Sequence, residues 1–326
     1  MSATPVAIRT LRWMVRDTFR QSLASRLFWV MLGITALCTL LALSTTVTGT
    51  DDREKHPYEL PLYLPRGQAA DGIPAPQGGV TLGFGLVTYP VAKTRADSVR
   101  ELQVWLAGIL ADTAGVLLAL LWTAGFLPTF LEPHAVTVLL AKPPGRWALL
   151  VGKYAGVVAF VALHATLFVF GTWVGLGVST GVWDARYWLA VPLLVTNFAV
   201  FYSFSAFLAV CTRSTVVAVF GTLLFWVLCW AMNFTHMRLI AAPPEGISAF
   251  GSFMVEAGYW FLPKPLDLSG IFFDAVNAHG YSAPVPELQA AREKGQFHPE
   301  LSVLASLAFA FGALLLAAYE FRKMDY

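Results

Sequence analysis

Six long stretches of this chain carry almost no charge, and that pattern leaves few folds open. They run from Leu27 to Thr50, Thr113 to Leu131, Tyr154 to Trp183, Tyr187 to Thr212, Ser214 to Met237 and Leu301 to Tyr319. A hydrocarbon layer of about 30 Å selects helices of about 20 apolar residues, and a backbone in lipid must satisfy its own hydrogen bonds. No stretch alternates with the period-2 pattern of a membrane barrel. The runs therefore predict an all-α polytopic membrane protein with six transmembrane helices over 27–48, 105–130, 150–178, 187–211, 214–236 and 300–320. Composition agrees: 57% of the 326 residues are hydrophobic and 13% charged, against about 25% charged in soluble domains. The first run is too long for a secretory h-region and no small-residue cleavage site follows it, so it reads as an uncleaved span.

Residues 7–25 place Ile8, Leu11, Val15, Phe19 and Leu23 at spacings of three and four beside a stripe of Arg9, Arg12, Arg16 and Arg20. That is the pattern of an amphipathic helix lying in a membrane interface, its arginines reaching lipid phosphates. The same arginines also suit a plain topology-fixing flank. With six spans and a cytoplasmic N-terminus, eleven of the 22 Lys and Arg residues fall on the inner side against Asp17, Glu132, Glu320 and Asp325. The other eleven are spread mostly through two long outer loops, 49–103 and 238–298, which count little in orientation. Both termini are thus expected in the cytoplasm and the spans in the cell (inner) membrane. The net charge of +2 gives no reason to expect a nucleic-acid partner; the arginines beside the spans suit membrane lipids.

The outer loop 49–103 is rich in Pro and Gly and is expected to hold little regular structure. The second, 238–298, contains GISAFGSFMV and AGYWFL, apolar but too short to span, which predict a re-entrant or interfacial helical pair. Spans four and five are joined by Thr212-Arg213-Ser214, a tight hairpin.

No G-x-x-x-x-G-K-[ST] loop occurs, so the chain is not expected to bind ATP or act as an enzyme by itself, and no cofactor or metal site is indicated. Cys38, Cys211 and Cys229 are isolated, and the six histidines are scattered. His164 lies within an apolar run, where an ionisable group is either a functional element or a ring bonded to a neighbouring helix. Asn197 could likewise line a translocation path or join helices. The connector 132–148 combines more features. Glu132-Pro133 places an acid at the start of a short helix from His134 to Ala141, Lys142-Pro143-Pro144 ends it, and Arg146 and Lys153 bracket the return to the membrane. Val136, Val138, Leu139 and Leu140 cannot bury much surface alone, so the connector reads either as an ordinary basic loop or as a surface covered by a partner.

Its run E-x4-T-x-LLAKP-x2-R-x5-GK, with Glu132, Thr137, Leu139 to Pro143, Arg146 and Gly152-Lys153, resembles the first cytoplasmic loop of ABC-2 type permeases. In particular it resembles the group associated with multicopper-enzyme maturation, including that of nitrous-oxide reductase. Arg16 to Arg20, Ser25 to Trp29 and Tyr259 to Pro263 resemble further parts of that family. The resemblance implies a permease subunit that pairs with a second permease, as a homodimer, and with separate ABC ATPase subunits that bind the ATP. It implies ATPase coupling through Glu132, His134, Thr137, Leu139, Leu140, Lys142, Arg146 and Lys153. The long proline-rich loop and the Pro143-Pro144-Gly145 turn depart from the pattern and leave the cargo open. A membrane anchor that recruits an ATPase-linked assembly, and an intramembrane enzyme around His164, are the rival readings.

Overall fold

The computed structural model describes residues 6–48, 78–91, 94–130, 146–243, 246, 248–278 and 286–323. The chain opens with helix α1 (Val6–Ala24) and turns at Ser25 into α2 (Arg26–Leu43). Strands β1 (Thr46–Thr48), β2 (Gly78–Leu82) and β3 (Val87–Val91) follow. The long helix α3 spans Arg95–Phe130 and α4 spans Arg146–Thr180. A 3-10 turn at Ala185–Leu189 leads into α5 (Ala190–Thr212), then α6 (Thr215–Ala241), α7 (Ala249–Phe261), α8 (Pro265–Ala275), α9 (Pro286–Glu293) and α10 (Pro299–Lys323). Six of these helices are long and apolar enough to cross a membrane: α2, α3, α4, α5 with its 3-10 lead-in, α6 and α10. The protein is an all-α polytopic membrane protein, with one small sheet. Both described ends of the chain lie at one face of the bundle, here called the terminal face.

The centre of the bundle is α5. In its most apolar window 61% of residues are buried, against at most 39% in the other spans, and it packs on α3, α4, α6, α8 and α10. Arg213 adopts the left-handed conformation at its C-terminus (φ 53°) and Ser214 accepts a hydrogen bond from Val217 N–H, so two residues reverse the chain into α6.

The structure moves several of the expected boundaries. The first span ends at Leu43, five residues before 48. The Ser44 and Thr45 hydroxyls donate to the Leu41 carbonyl at 2.8 and 2.9 Å, and the β-branched residues that follow pair as β1 with β2, Val47 opposite Val80. The loop 49–103 is more regular than expected, because β2 and β3 form an antiparallel hairpin. Val47 and Val80 are buried against Ala42, Val99 and Leu176, seating the sheet on the far ends of α2, α3 and α4. The second span begins at Arg95 instead of 105. Thr94 caps it by accepting from Asp97 N–H at 3.2 Å, and Arg100 bonds Asp184 at 2.7 Å, so the charges of this extension are paired with the α4–α5 turn. The two short apolar segments expected to pair in 238–298 fall in one continuous helix, α7; its neighbour is α8, formed by PLDLSGIFFDA and packed against α3, α5, α6 and α10.

Helix α4 carries a G-x-x-x-G pair, Gly171 and Gly175, facing α2. A Cβ on Gly175 would stand 2.9 Å from Ala42 Cβ, 3.0 Å from Thr39 O and 3.2 Å from Leu43 N. Small residues at this spacing let two helices approach at backbone distance. Gly175→Ala is expected to force α2 and α4 apart and to destabilise the protein by about 1–3 kcal/mol, read as a lower thermal unfolding midpoint in detergent; Gly33→Ala, whose Cβ meets nothing within 4 Å, is the control that leaves it unchanged.

Candidate functional site

Glu132, His134, Thr137, Leu139, Leu140 and Lys142 lie outside the described residues, as does the side chain of Arg146, whose backbone opens α4. Both flanks of the connector are described, and they converge. Phe126 and Phe130 end α3, and Lys153 stands two turns into α4. Lys153 is buried, with 1% exposure. Its ammonium donates to Gln21 Oε1 at 2.6 Å and to Asp17 Oδ2 at 3.5 Å, both on α1. The same nitrogen lies 6.0 and 5.9 Å from the ring centres of Phe126 and Phe130, the range of cation–π attraction. One turn further, Gly156 receives α1 so closely that a Cβ there would meet Thr18 Oγ1 at 2.7 Å and the Val15 backbone at 3.2 Å.

This arrangement also changes the reading of α1. Its buried face is Met14, Thr18 and Ser22, turned to α4, while Leu23 of the apolar pattern, and Trp13 beside it, are about half exposed. The Thr18 hydroxyl is satisfied by the Met14 carbonyl at 2.9 Å. α1 is thus docked on the first turns of α4.

Within the spans, His164 and Asn197 serve different neighbours. His164 Nε2 lies 3.3 Å from Thr35 Oγ1 on α2, and its Nδ1 is buried with no hydrogen-bond partner among the described residues. Asn197 donates from Nδ2 to Asp112 Oδ1 at 2.7 Å, and Ser269 of α8 donates to the other oxygen of the same carboxyl group. Asp112 falls inside the span predicted over 105–130 and is given no role by the sequence alone. The signal available was a lone acid against an uncharged run, with an unmatched Asn in another.

A second polar cluster closes the face opposite the termini. Asp267 at the start of α8 is fully buried and accepts from Asn233 Nδ2 (2.9 Å, α6), Tyr259 OH (2.7 Å, α7) and Ser302 Oγ (2.5 Å, α10). Asn233 Oδ1 in turn receives the Leu266 amide at 3.0 Å, and Ser306 receives the Lys264 amide at 3.2 Å. The Lys264 ammonium sits 4.8 Å from the Tyr259 ring centre and 5.2 Å from that of Trp260. Burial pushes this amine down to about 8, while the Asp267 and Cys229 charges act in the other direction. Burial, reinforced by the Asp267 charge, pushes the Tyr259 phenol up. His236 stacks on Tyr259 at 3.7 Å and lies 3.1 Å from Glu256. Four helices are thereby tied by one carboxylate. Among the described residues no group of three metal-ligating side chains occurs.

Six spans, a central fourth span and an amphipathic helix docked on the first turns of α4 form the frame in which the comparisons fall. A family model described as ABC-2 family transporter protein matches residues 12–246, well over half of the chain. The chain belongs to the ABC-2 transporter family. The match takes in α1, the connector and the first five spans of the permease. No curated protein matches the chain. Membership makes the protein a multi-pass membrane component of transport, and the six apolar helices agree.

Proposed function

We propose that this permease is the membrane-spanning subunit of an ABC transporter, that it works as a homodimer in the cell membrane with both termini in the cytoplasm, and that separate ATPase subunits bind and hydrolyse the ATP. The observation that carries the reading is the Lys153 junction. Motion imposed on the connector 132–148 reaches the end of α3 and the start of α4 together, and Lys153 ties both to α1. A short cytoplasmic segment set between two rigid spans is suited to turn a partner's closure into a shift of helices.

In this reading Leu139 and Leu140 supply the apolar anchor for the ATPase, while Glu132, His134, Thr137, Lys142 and Arg146 supply polar contacts. Lys153 acts from inside the permease, because its ammonium is committed to α1. His164 and Asn197 border the route taken by conformational change or cargo. The narrower kinship with permeases of multicopper-enzyme maturation rests on the loop motif. Leu139→Asp and Arg146→Glu are each expected to lower co-purification with the ATPase subunit at least about tenfold, the equivalent of about 1.4 kcal/mol at the interface, with normal membrane insertion. Undiminished association in both variants would refute the coupling assignment.

A further inference from the structure

The turn of the β2–β3 hairpin, Gly83-Phe84-Gly85-Leu86, carries the two most exposed large apolar side chains among the described residues: Phe84 is 84% and Leu86 87% exposed. Hairpin turns favour Gly, Asn and Asp. Phe84 nevertheless holds a left-handed backbone (φ 57°) between Gly83 (φ 65°) and Gly85 (φ 103°), a conformation that strains a bulky residue and costs glycine nothing. A glycine would close the turn without strain, so the turn alone does not explain the ring. No charged residue occurs from Gly78 to Val91, and Val87 and Tyr89 of β3 add further exposed surface.

The depth of this turn is set by α2, a span of the bundle. Its 18 residues rise about 27 Å at about 1.5 Å each, no more than the hydrocarbon layer of about 30 Å. With the charged Arg26 held at one boundary, the other end of α2 reaches the opposite boundary and does not pass it. β1 leads away from that end, so β2, antiparallel to it, leads back, and the turn lands on Ser44, the cap of α2. Gly83 N–H donates to Ser44 Oγ at 3.1 Å and Phe84 N–H to the Ser44 carbonyl at 3.3 Å, while Leu86 N–H donates to the Gly83 carbonyl at 3.3 Å. These amides are satisfied within the protein, as a backbone entering lipid requires. In the last turn of α2, Leu40, Leu41 and Leu43 are also exposed, and the tip extends this lipid-facing surface.

We infer that the β2–β3 turn is a membrane anchor: Phe84 and Leu86 dip into the lipid leaflet at the face opposite the termini. Tyr89, at most about 10 Å further along β3, then stands in the headgroup layer that suits a phenol. Phe84, Leu86, Val87 and Tyr89 together fall short of the roughly 800 Å² per partner that a stable protein interface buries, which favours lipid over a second copy of the chain. The anchor does not rest on the transport reading and holds whichever side of the membrane that face meets.

The test places the photo-crosslinking residue p-benzoylphenylalanine at position 84, 86, 40 or 289 of the full chain in phosphatidylcholine nanodiscs, with adducts identified by mass spectrometry. Leu40 is the reference in lipid and Gln289, exposed on α9, the reference in water. Lipid adducts at 84 and 86 are expected to match those at 40 and to exceed those at 289 at least about tenfold, the partition that burial of one large apolar side chain provides. The same probe at position 89 is expected to lose most of its lipid adducts when Phe84→Gly and Leu86→Ser are introduced together, while those at 40 stay unchanged. Phe84→Gly relieves the strained backbone, so this variant keeps its thermal unfolding midpoint in detergent. Lipid adducts at 84 and 86 no more frequent than at 289, crosslinks from them to a second copy of the chain in place of lipid, or labelling at 89 untouched by the two substitutions overturns the assignment.

Discussion

Asp267→Ala is expected to destabilise the permease by about 3–5 kcal/mol, the cost of removing a buried carboxylate from its hydrogen-bond donors and from a nearby buried ammonium. The carboxylate accepts hydrogen bonds from Asn233, Tyr259 and Ser302, which belong to three other helices, and it is the carboxylate that opposes the depression of the fully buried Lys264. Its removal takes the acceptor from Asn233 Nδ2, leaves Tyr259 and Ser302 only each other at 3.3 Å, and removes the charge that favours the buried Lys264 ammonium. Asp267→Asn keeps an acceptor oxygen and loses the charge, so a smaller loss of about 1–3 kcal/mol is expected. The discriminating variant is the double substitution Asp267→Ala with Lys264→Met. If the uncompensated ammonium causes most of the damage, the double variant unfolds at a higher temperature than Asp267→Ala alone, a non-additivity appropriate to groups in contact. Thermal unfolding in detergent reads all three. A double variant no more stable than the single one would show that the hydrogen bonds, and not the charge, hold α6, α7, α8 and α10 together.

The parts of this protein that were legible in the sequence are those governed by hydropathy over some twenty residues. All six spans and the α5–α6 turn follow from where charges are absent and where Arg213-Ser214 interrupts them. The features that escaped are governed by size or by partners far away in the chain. The docked face of α1 includes Phe19 of the apolar stripe, which meets Phe160 of α4 at 4.9 Å; the part that escaped is Thr18 and Ser22, which carry no apolar signal but are small enough for the close seat at Gly156. The ten-residue extension of α3 contains charges, and charges end an apolar window even where Asp184 pairs them. Asp112 meets Asn197 and Ser269 across 85 and 157 residues, and Asp267 meets Asn233 and Ser302 across 34 and 35; no local pattern announces such meetings. For the connector the position is reversed. Its residues from Glu132 to Lys142 lie outside the described part, so their assignment rests on the motif, and the structure contributes the junction to which both ends are tied.

That junction supports the second large effect. Lys153→Glu replaces an ammonium of 1% exposure with a carboxylate facing Asp17 and the ring faces of Phe126 and Phe130. Every favourable interaction changes sign: the ion pair becomes a like-charge contact, the cation–π attraction becomes repulsion between an anion and a negative ring face, and Gln21 Oε1 loses its donor. Asp17 is itself half exposed, so its share is screened by solvent; the burial of an unpaired charge is the larger cost. The expected result is release of α1 from α4, seen as tryptic cleavage at Arg16 and Arg20 under conditions in which the wild-type helix resists. Lys153→Met separates structure from coupling. It keeps an unbranched side chain, one atom shorter, against both phenylalanines and introduces no buried charge, so α1 stays docked and membrane insertion and ATPase association persist. What it removes is the polar link between the connector's flanks and α1. In vesicles reconstituted with the ATPase subunit, ATP-driven transport by Lys153→Met is therefore expected to fall severalfold with nucleotide binding intact, whereas wild-type transport rates in a Lys153→Met permease whose α1 resists trypsin would show that the connector drives the spans without passing through this junction.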